Sequence, residues 1–178
     1  MTIFSNKDLK VCFVILSPDC AVNLIKNTAS SIKYHYPKLP FITVTESSAI
    51  KEDIAEIKKI CPVYKGNETI SSLINVGMRH SPAEWVFLVI AGTNVRPNLD
   101  SKFSFYVANE KDILYPVANY KYNFIDATLN GLFINRKTFR EVGEMQESGS
   151  LDMVKLAWAA EAVEYGCKFK AIVGSKMC

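Results

Sequence analysis

The chain has 178 residues, 49% hydrophobic and 22% charged, ordinary values for a soluble globular protein large enough for one sizeable core. Its net charge of +3, without a Lys/Arg run, argues against a nucleic-acid binder, and no apolar stretch approaches the length of a membrane span. Five cysteines, odd in number and without a C-x-x-C pair, argue against a disulfide framework or a zinc site and fit a reducing compartment. The opening MTIFSNKDLK lacks the apolar core of a signal peptide, so a cytoplasmic protein with a single domain over residues 1–178 is expected.

KVCFVIL (10–16) is a buried-strand candidate that ends at Ser17-Pro18-Asp19. Ala21, Ile25, Ala29, Ile32 and Tyr36 follow at helical steps of three and four, stopped by Pro37 and Pro40. FITVT (41–45) is a second strand, rich in β-branched residues, and Glu46-Ser47-Ser48 leads to a short helix with Ile54, Ile57 and Ile60 on one face. PVYKG (62–66) reads as a short third strand. Asn67 is a candidate cap for a helix carrying Ile70, Ile74 and Gly77 on one face. The run Trp85–Ile90 then breaks into Ala91-Gly92-Thr93-Asn94, as a fully buried strand does where it opens into a loop.

This strand–helix alternation predicts an α/β fold with a mostly parallel sheet and right-handed crossovers. The second half is less regular. DILYPV (112–117) and LNGLFIN (129–135) read as strands, Pro116 suggesting an edge or an end. Leu151, Val154, Trp158, Ala162 and Tyr165 mark a long helix ended by Gly166, and KFKAIV (168–173) is a last strand.

Five segments, in this order and on these elements, form a pattern: SPD (17–19), TESS (45–48), INVG (74–77), IAGTN (90–94) and VGEMQE (142–147) ahead of Leu151-Asp152. The pattern resembles the nucleotide-sugar glycosyltransferases of the GT-A fold, specifically the large inverting group called family 2, over roughly residues 10–173. The resemblance implies a Rossmann-like, mostly parallel sheet flanked by helices. It also implies a nucleotide-diphosphate sugar as donor, an unknown acceptor, and transfer of a hexosyl type.

The departures are as informative as the matches. The family's Asp-x-Asp at the fourth strand end, which holds Mn²⁺ or Mg²⁺ against the diphosphate, is here Ile90-Ala91-Gly92. A divalent cation thus lacks its usual carboxylates and would need acids from an unexpected loop, such as Asp100 or Asp126; no metal ligand is assigned. The family's Asp-Asp-Gly-Ser is Thr45-Glu46-Ser47-Ser48, its Arg-Asn-x-Gly has Ile74 for Arg, and its Glu-Asp pair keeps only the second acid.

By the resemblance, Asp152 is the candidate base that takes the acceptor hydroxyl proton; a first-turn acid at a helix N-terminus has the same appearance. Glu46 is the candidate nucleoside site, with Ser47 and Ser48 as nearby donors and a helix cap as the alternative for Ser48; Ser17 is a further nucleotide-sugar-binding candidate. Asn75 is suggestive because Asn is a poor helix former, whereas Gly77 also fits close helix packing. Gly92, Thr93 and Asn94 line the strand end where backbone N–H groups and small polar side chains hold phosphate without metal. Asn130 stands where family members meet donor sugar or acceptor. Charge on the leaving diphosphate then calls for cations, with Arg79, Arg96, Lys170 and Lys176 as the supply. The aromatics from Phe103 to Phe124 offer sugar-stacking faces or core packing.

Two further functions compete with transfer. The first is a catalytically degenerate member of the fold, acting as a binding or scaffolding module. The second is a nucleotidyltransferase or another nucleotide-binding α/β protein; nucleotidyltransferases of similar topology carry a Gly-rich basic loop after the first strand, which LSPDCAVN (16–23) lacks.

Overall fold

A computed structural model of the chain describes residues 10–117 and 130–173; the side chains of residues 100–102, 104, 117 and 173 lie outside that description. The order of elements is β1 (Val11–Ser17), α1 (Val22–His35), β2 (Phe41–Glu46), α2 (Lys51–Lys58), β3 (Val63–Gly66), α3 (Ile70–His80), β4 (Trp85–Ile90) and α4 (Leu99–Tyr106). It continues with β5 (Asp112–Val117), β6 (Phe133–Asn135), α5 (Arg136–Val142), α6 (Leu151–Glu164) and β7 (Lys168–Val173). The strands form one seven-stranded sheet in the order β3-β2-β1-β4-β6-β5-β7. β1 pairs in parallel with β2 and β4, β2 with β3, and β5 with β7; β6 alone is antiparallel to both neighbours. The α/β, mostly parallel sheet expected from the sequence is the one observed.

Alternation along the strands divides the core in two. Cys12, Val14, Leu16, Val86 and Leu88 face α3, α5 and α6, whereas Phe13, Ile15, Trp85, Phe87 and Val89 face α1, α2 and α4. Every residue of β1 is buried, as a central parallel strand covered on both faces requires. Phe103 is fully buried, with its ring 4.7 Å from Phe87 and 5.6 Å from Phe133. It is a core residue and offers no face to a sugar. Tyr120, Tyr122 and Phe124 lie outside the described residues.

β5 is an interior strand, and Pro116 marks its end rather than an edge: it is next to last in β5, and because the β5–β6 pairing is at Leu114↔Phe133 it lies past the start of β6. Two local expectations differ from the structure. The cap of α3 is Thr69, whose hydroxyl accepts from Ser72 N at 3.2 Å, while Asn67 instead donates its own N–H to Ser72 Oγ. The N-cap of α2 is Ile50, which offers no side-chain cap, and Ser48 stands exposed in the turn before it.

Candidate functional site

In a parallel α/β sheet each helix returns from the carboxyl edge of one strand to the amino edge of the next. The carboxyl edge therefore collects strand ends and helix starts, and ligands bind there. The register brings Ser17 beside Thr45, Glu46 beside Gly66 and Leu16 beside Ile90. Ser17 is fully buried; its Oγ accepts from Ala21 N at 3.2 Å and its carbonyl from Cys20 N at 3.3 Å, closing the turn into α1. Glu46 is half-buried at the end of β2. Lys65, on neighbouring β3, donates to the carbonyls of Ser47 and Ala49, both at 3.1 Å, and so holds the turn that presents Glu46. Thr45 Oγ1, buried beside it, has no hydrogen-bond partner among the described residues.

The loop after β4 is latched from within. Thr28 on α1 donates its hydroxyl to Thr93 O at 3.0 Å and accepts from Gly92 N at 2.9 Å. Ala91 N donates to Leu16 O, Thr93 N to Ile90 O and Val95 N to Ser31 Oγ. Asn130 spans the strand end, accepting from Ile90 N at 3.0 Å and donating to Thr93 Oγ1 at 2.9 Å. The N–H groups of residues 91, 92, 93 and 95 are thus already engaged, Thr93 is buried, and Gly92 (φ +94°) and Asn94 are exposed. The strand end offers no carboxylate, and no group of three His, Cys, Asp or Glu side chains gathers among the described residues. This donor set does not fit a hard divalent cation. Asp126 lies outside the described residues, as does the side chain of Asp100.

The third wall comes from the segment after α5. β6 ends at the amino edge, with Asn135 beside Trp85, and α5 starts there, its Arg136 N–H bonded to Glu84 O. The following loop climbs along α3. Asn75, 1% exposed, donates to Met145 O at 2.8 Å and accepts from Met145 N at 3.0 Å. Glu147 then reaches the carboxyl edge and accepts from Asn67 Nδ2 at 2.7 Å. Burial pushes the Glu147 carboxyl up, but hydrogen bonds from Asn67, Ser72 and Asn75, with the Arg79 charge, together hold it below the ordinary value.

Because the loop ends at this edge, α6 begins there. Ser150 caps it by accepting from Met153 N at 3.4 Å, and Asp152 lies in its first turn with its side chain 81% exposed. Lys155 sits 3.7 Å from Asp152 and is itself buried.

The structure thus gathers Ser17, Glu46, Ser48, Gly92, Thr93, Asn94 and Asn130 along one edge, with the first turn of α6 on its α3 side. Asn75 lies deeper, its amide spent on the Met145 backbone. Of the expected cations, Arg96 is in the loop after β4. Arg79 lies in the last turn of α3, 3.3 Å from Glu144, and Lys170 is 2.7 Å from Asp112, at the amino end of β5. Lys176 lies outside the described residues. Lys65 and Lys155 are the cations that sequence reasoning missed. Lys155 had a signal, since it interrupts the apolar stripe of α6 between Val154 and Trp158.

No family model matches the chain, and no curated protein matches it by sequence. Solved structures do match. Residues 1–349 of Staphylococcus aureus TarS, a glycosyltransferase, superpose with a TM-score of 0.68 at 9% identity, covering 95% of this chain and 59% of that one. The bifunctional IspDF of Campylobacter jejuni superposes with a TM-score of 0.60 at 12% identity, covering 93% of this chain and 50% of that one. The chain therefore spans about half to three-fifths of the length of these neighbours. The chain shares the mixed α/β fold of these two structures, a mostly parallel seven-stranded sheet flanked by helices. No helix among the described residues is long and apolar enough to cross a membrane.

Proposed function

We propose that the chain is a family 2-like glycosyltransferase that moves a sugar from a nucleotide-diphosphate sugar to an acceptor hydroxyl, with inversion and without a divalent cation. The observation that carries this reading is the shared carboxyl edge: the ends of β1, β2 and β4 and the first turn of α6 open onto one rim. Glu46 accepts hydrogen bonds from the nucleoside, with Ser17 and Ser48 beside it. Asn94, Thr93, Gly92 and Asn130 border the diphosphate and sugar. Asp152 takes the proton of the acceptor hydroxyl as its oxygen bonds to the anomeric carbon, and the bond from that carbon to the diphosphate breaks. Lys155, 3.7 Å from Asp152, offsets charge on the departing nucleoside diphosphate. Asn75 is a positioning residue that fixes the loop leading to α6. The buried, unbridged cysteines Cys12, Cys20, Cys61 and Cys167 agree with a cytoplasmic setting.

The latched loop after β4 favours a second reading. A strand end whose N–H groups are already satisfied is also what a binding module without turnover retains. Release of nucleoside diphosphate from a panel of UDP-, GDP- and CDP-sugars in EDTA separates the two. The transferase reading expects release from one donor class that Asp152→Asn suppresses. No release from any donor, with nucleotide still bound, leaves the binding module.

A further inference from the structure

The amino edge carries a second concave site, on the opposite side of the molecule from the nucleotide rim. A cavity of about 290 Å³ lies between the end of α3 and α5, lined by Met78, Arg79, Arg136, Phe139, Arg140 and Glu144. Its floor is apolar: Met78 and Phe139 are 2% and 3% exposed. Its walls bring three guanidinium groups together against one carboxylate.

Each arginine is in a different state. Arg136 Nη1 donates to the carbonyl of Ser81, the residue that ends α3, and so covers the negative end of that helix dipole. Arg79 pairs with Glu144 at 3.3 Å, so the cavity already accepts one carboxylate against a guanidinium. Arg140, exposed in the last turn of α5, has no hydrogen-bond or ion-pair partner among the described residues. Of the other acids at this edge, Glu110 and Glu141 pair with Lys137 on the far flank of α5, Asp112 pairs with Lys170, and Glu84 accepts from Asn135 Nδ2 at 3.3 Å.

We propose that this cavity binds a small organic phosphate, its phosphate on the arginines and its apolar part over Met78 and Phe139. Planar guanidinium forks match phosphate oxygens two at a time, and such charge-assisted pairs are the strong ones. The volume sits at the lower end of ligand pockets, about 300–1,000 Å³, which suits a phosphomonoester and is too small for a whole nucleotide sugar. The phosphate displaces Glu144 from Arg79. The site stands independently of the transferase reading, because none of its residues belongs to the nucleotide rim.

Trp158 provides a local reporter. Its Nε1 donates to Gly143 O at 2.9 Å, next to Glu144, and its ring lies 5.4 Å from Phe139 on the cavity floor. The probe is phenyl phosphate, with inorganic phosphate as the head-group control, titrated at constant ionic strength by calorimetry and tryptophan fluorescence. Saturable binding is expected, tighter for phenyl phosphate than for inorganic phosphate, with a fluorescence change. Arg140→Ala weakens it about tenfold or more, and Glu144→Gln strengthens it by removing the competing carboxylate. Arg140 holds nothing else in place, so its variant folds normally. No saturable binding up to about 10 mM, or equal affinity in wild type and Arg140→Ala, overturns the proposal. Equal affinity would put the phosphate elsewhere, the carboxyl edge included.

Discussion

Asn75 and Met145 exchange two hydrogen bonds across 70 residues of sequence, the Asn75 amide donating to the Met145 carbonyl and accepting from its N–H. The pair joins α3 to the loop that carries Glu147 and leads into α6. Replacing Asn75 with Ala leaves both backbone groups of a buried residue unpaired. Asn75→Ala is therefore expected to lower unfolding stability by about 2–4 kcal/mol, measured by urea denaturation. On the proposed function it also weakens nucleotide binding, through the loop.

The hydroxyl of Thr28 is the latch of the β4 loop. Thr28→Val keeps the shape and removes both the bond to Thr93 O and the one from Gly92 N. The expected loss is about 1–3 kcal/mol, with faster amide hydrogen exchange at Gly92 as the local readout. Unchanged exchange there would mean that Leu24 O, 3.2 Å from the same N–H, is enough to hold it.

Gly77 is a packing glycine. A Cβ there would stand 2.5 Å from Val14 Cγ1, and Val14 is a stiff β-branched residue in the central strand. Ala ordinarily improves a helix interior by about 1 kcal/mol over Gly. Here overpacking, about 1–3 kcal/mol and at the upper end for so close a contact, decides the sign. Gly77→Ala is expected to be destabilising by thermal melting.

Glu147 sets a pH dependence. Its carboxyl is held below the ordinary value in the folded chain, so the stability it contributes is present above about pH 4.5 and is lost as pH falls through the folded value. Glu147→Gln should be less stable than wild type at neutral pH and lose less stability on acidification. Parallel wild-type and variant curves below pH 5 would contradict this.

Asp152 combines high exposure with one ion pair to Lys155. Asp152→Asn should leave the melting temperature and nucleotide affinity nearly unchanged while lowering turnover by about 10²–10⁴-fold, the usual contribution of a positioned base. A large loss of stability instead would identify Asp152 as a structural first-turn acid.

Much of the sheet was legible because its strands are continuous apolar runs. Trp85–Ile90, Asp112–Val117 and Lys168–Val173 have the bounds their sequences suggest. The antiparallel β6 was seen too long, as 129–135 against Phe133–Asn135. α4 and α5 went unread because they are short, eight and seven residues, and because Phe103 and Phe105 alternate with a strand-like period. At the rim, Glu46 and Thr93 could be placed from strand ends alone. The role of Asn75 could not, because its partner is 70 residues away and is backbone, which carries no sequence signal. For the same reason Lys65 went unnoticed, although its carbonyl bonds hold the turn after Glu46.

The central claim is a nucleotide site at the carboxyl edge that works without metal. Its most direct test is calorimetric titration of the folded protein with UDP, GDP and CDP, each in Mn²⁺ and again in EDTA. One nucleoside diphosphate is expected to bind with the same affinity in both. Binding that requires Mn²⁺, or no binding of any of the three, would contradict it.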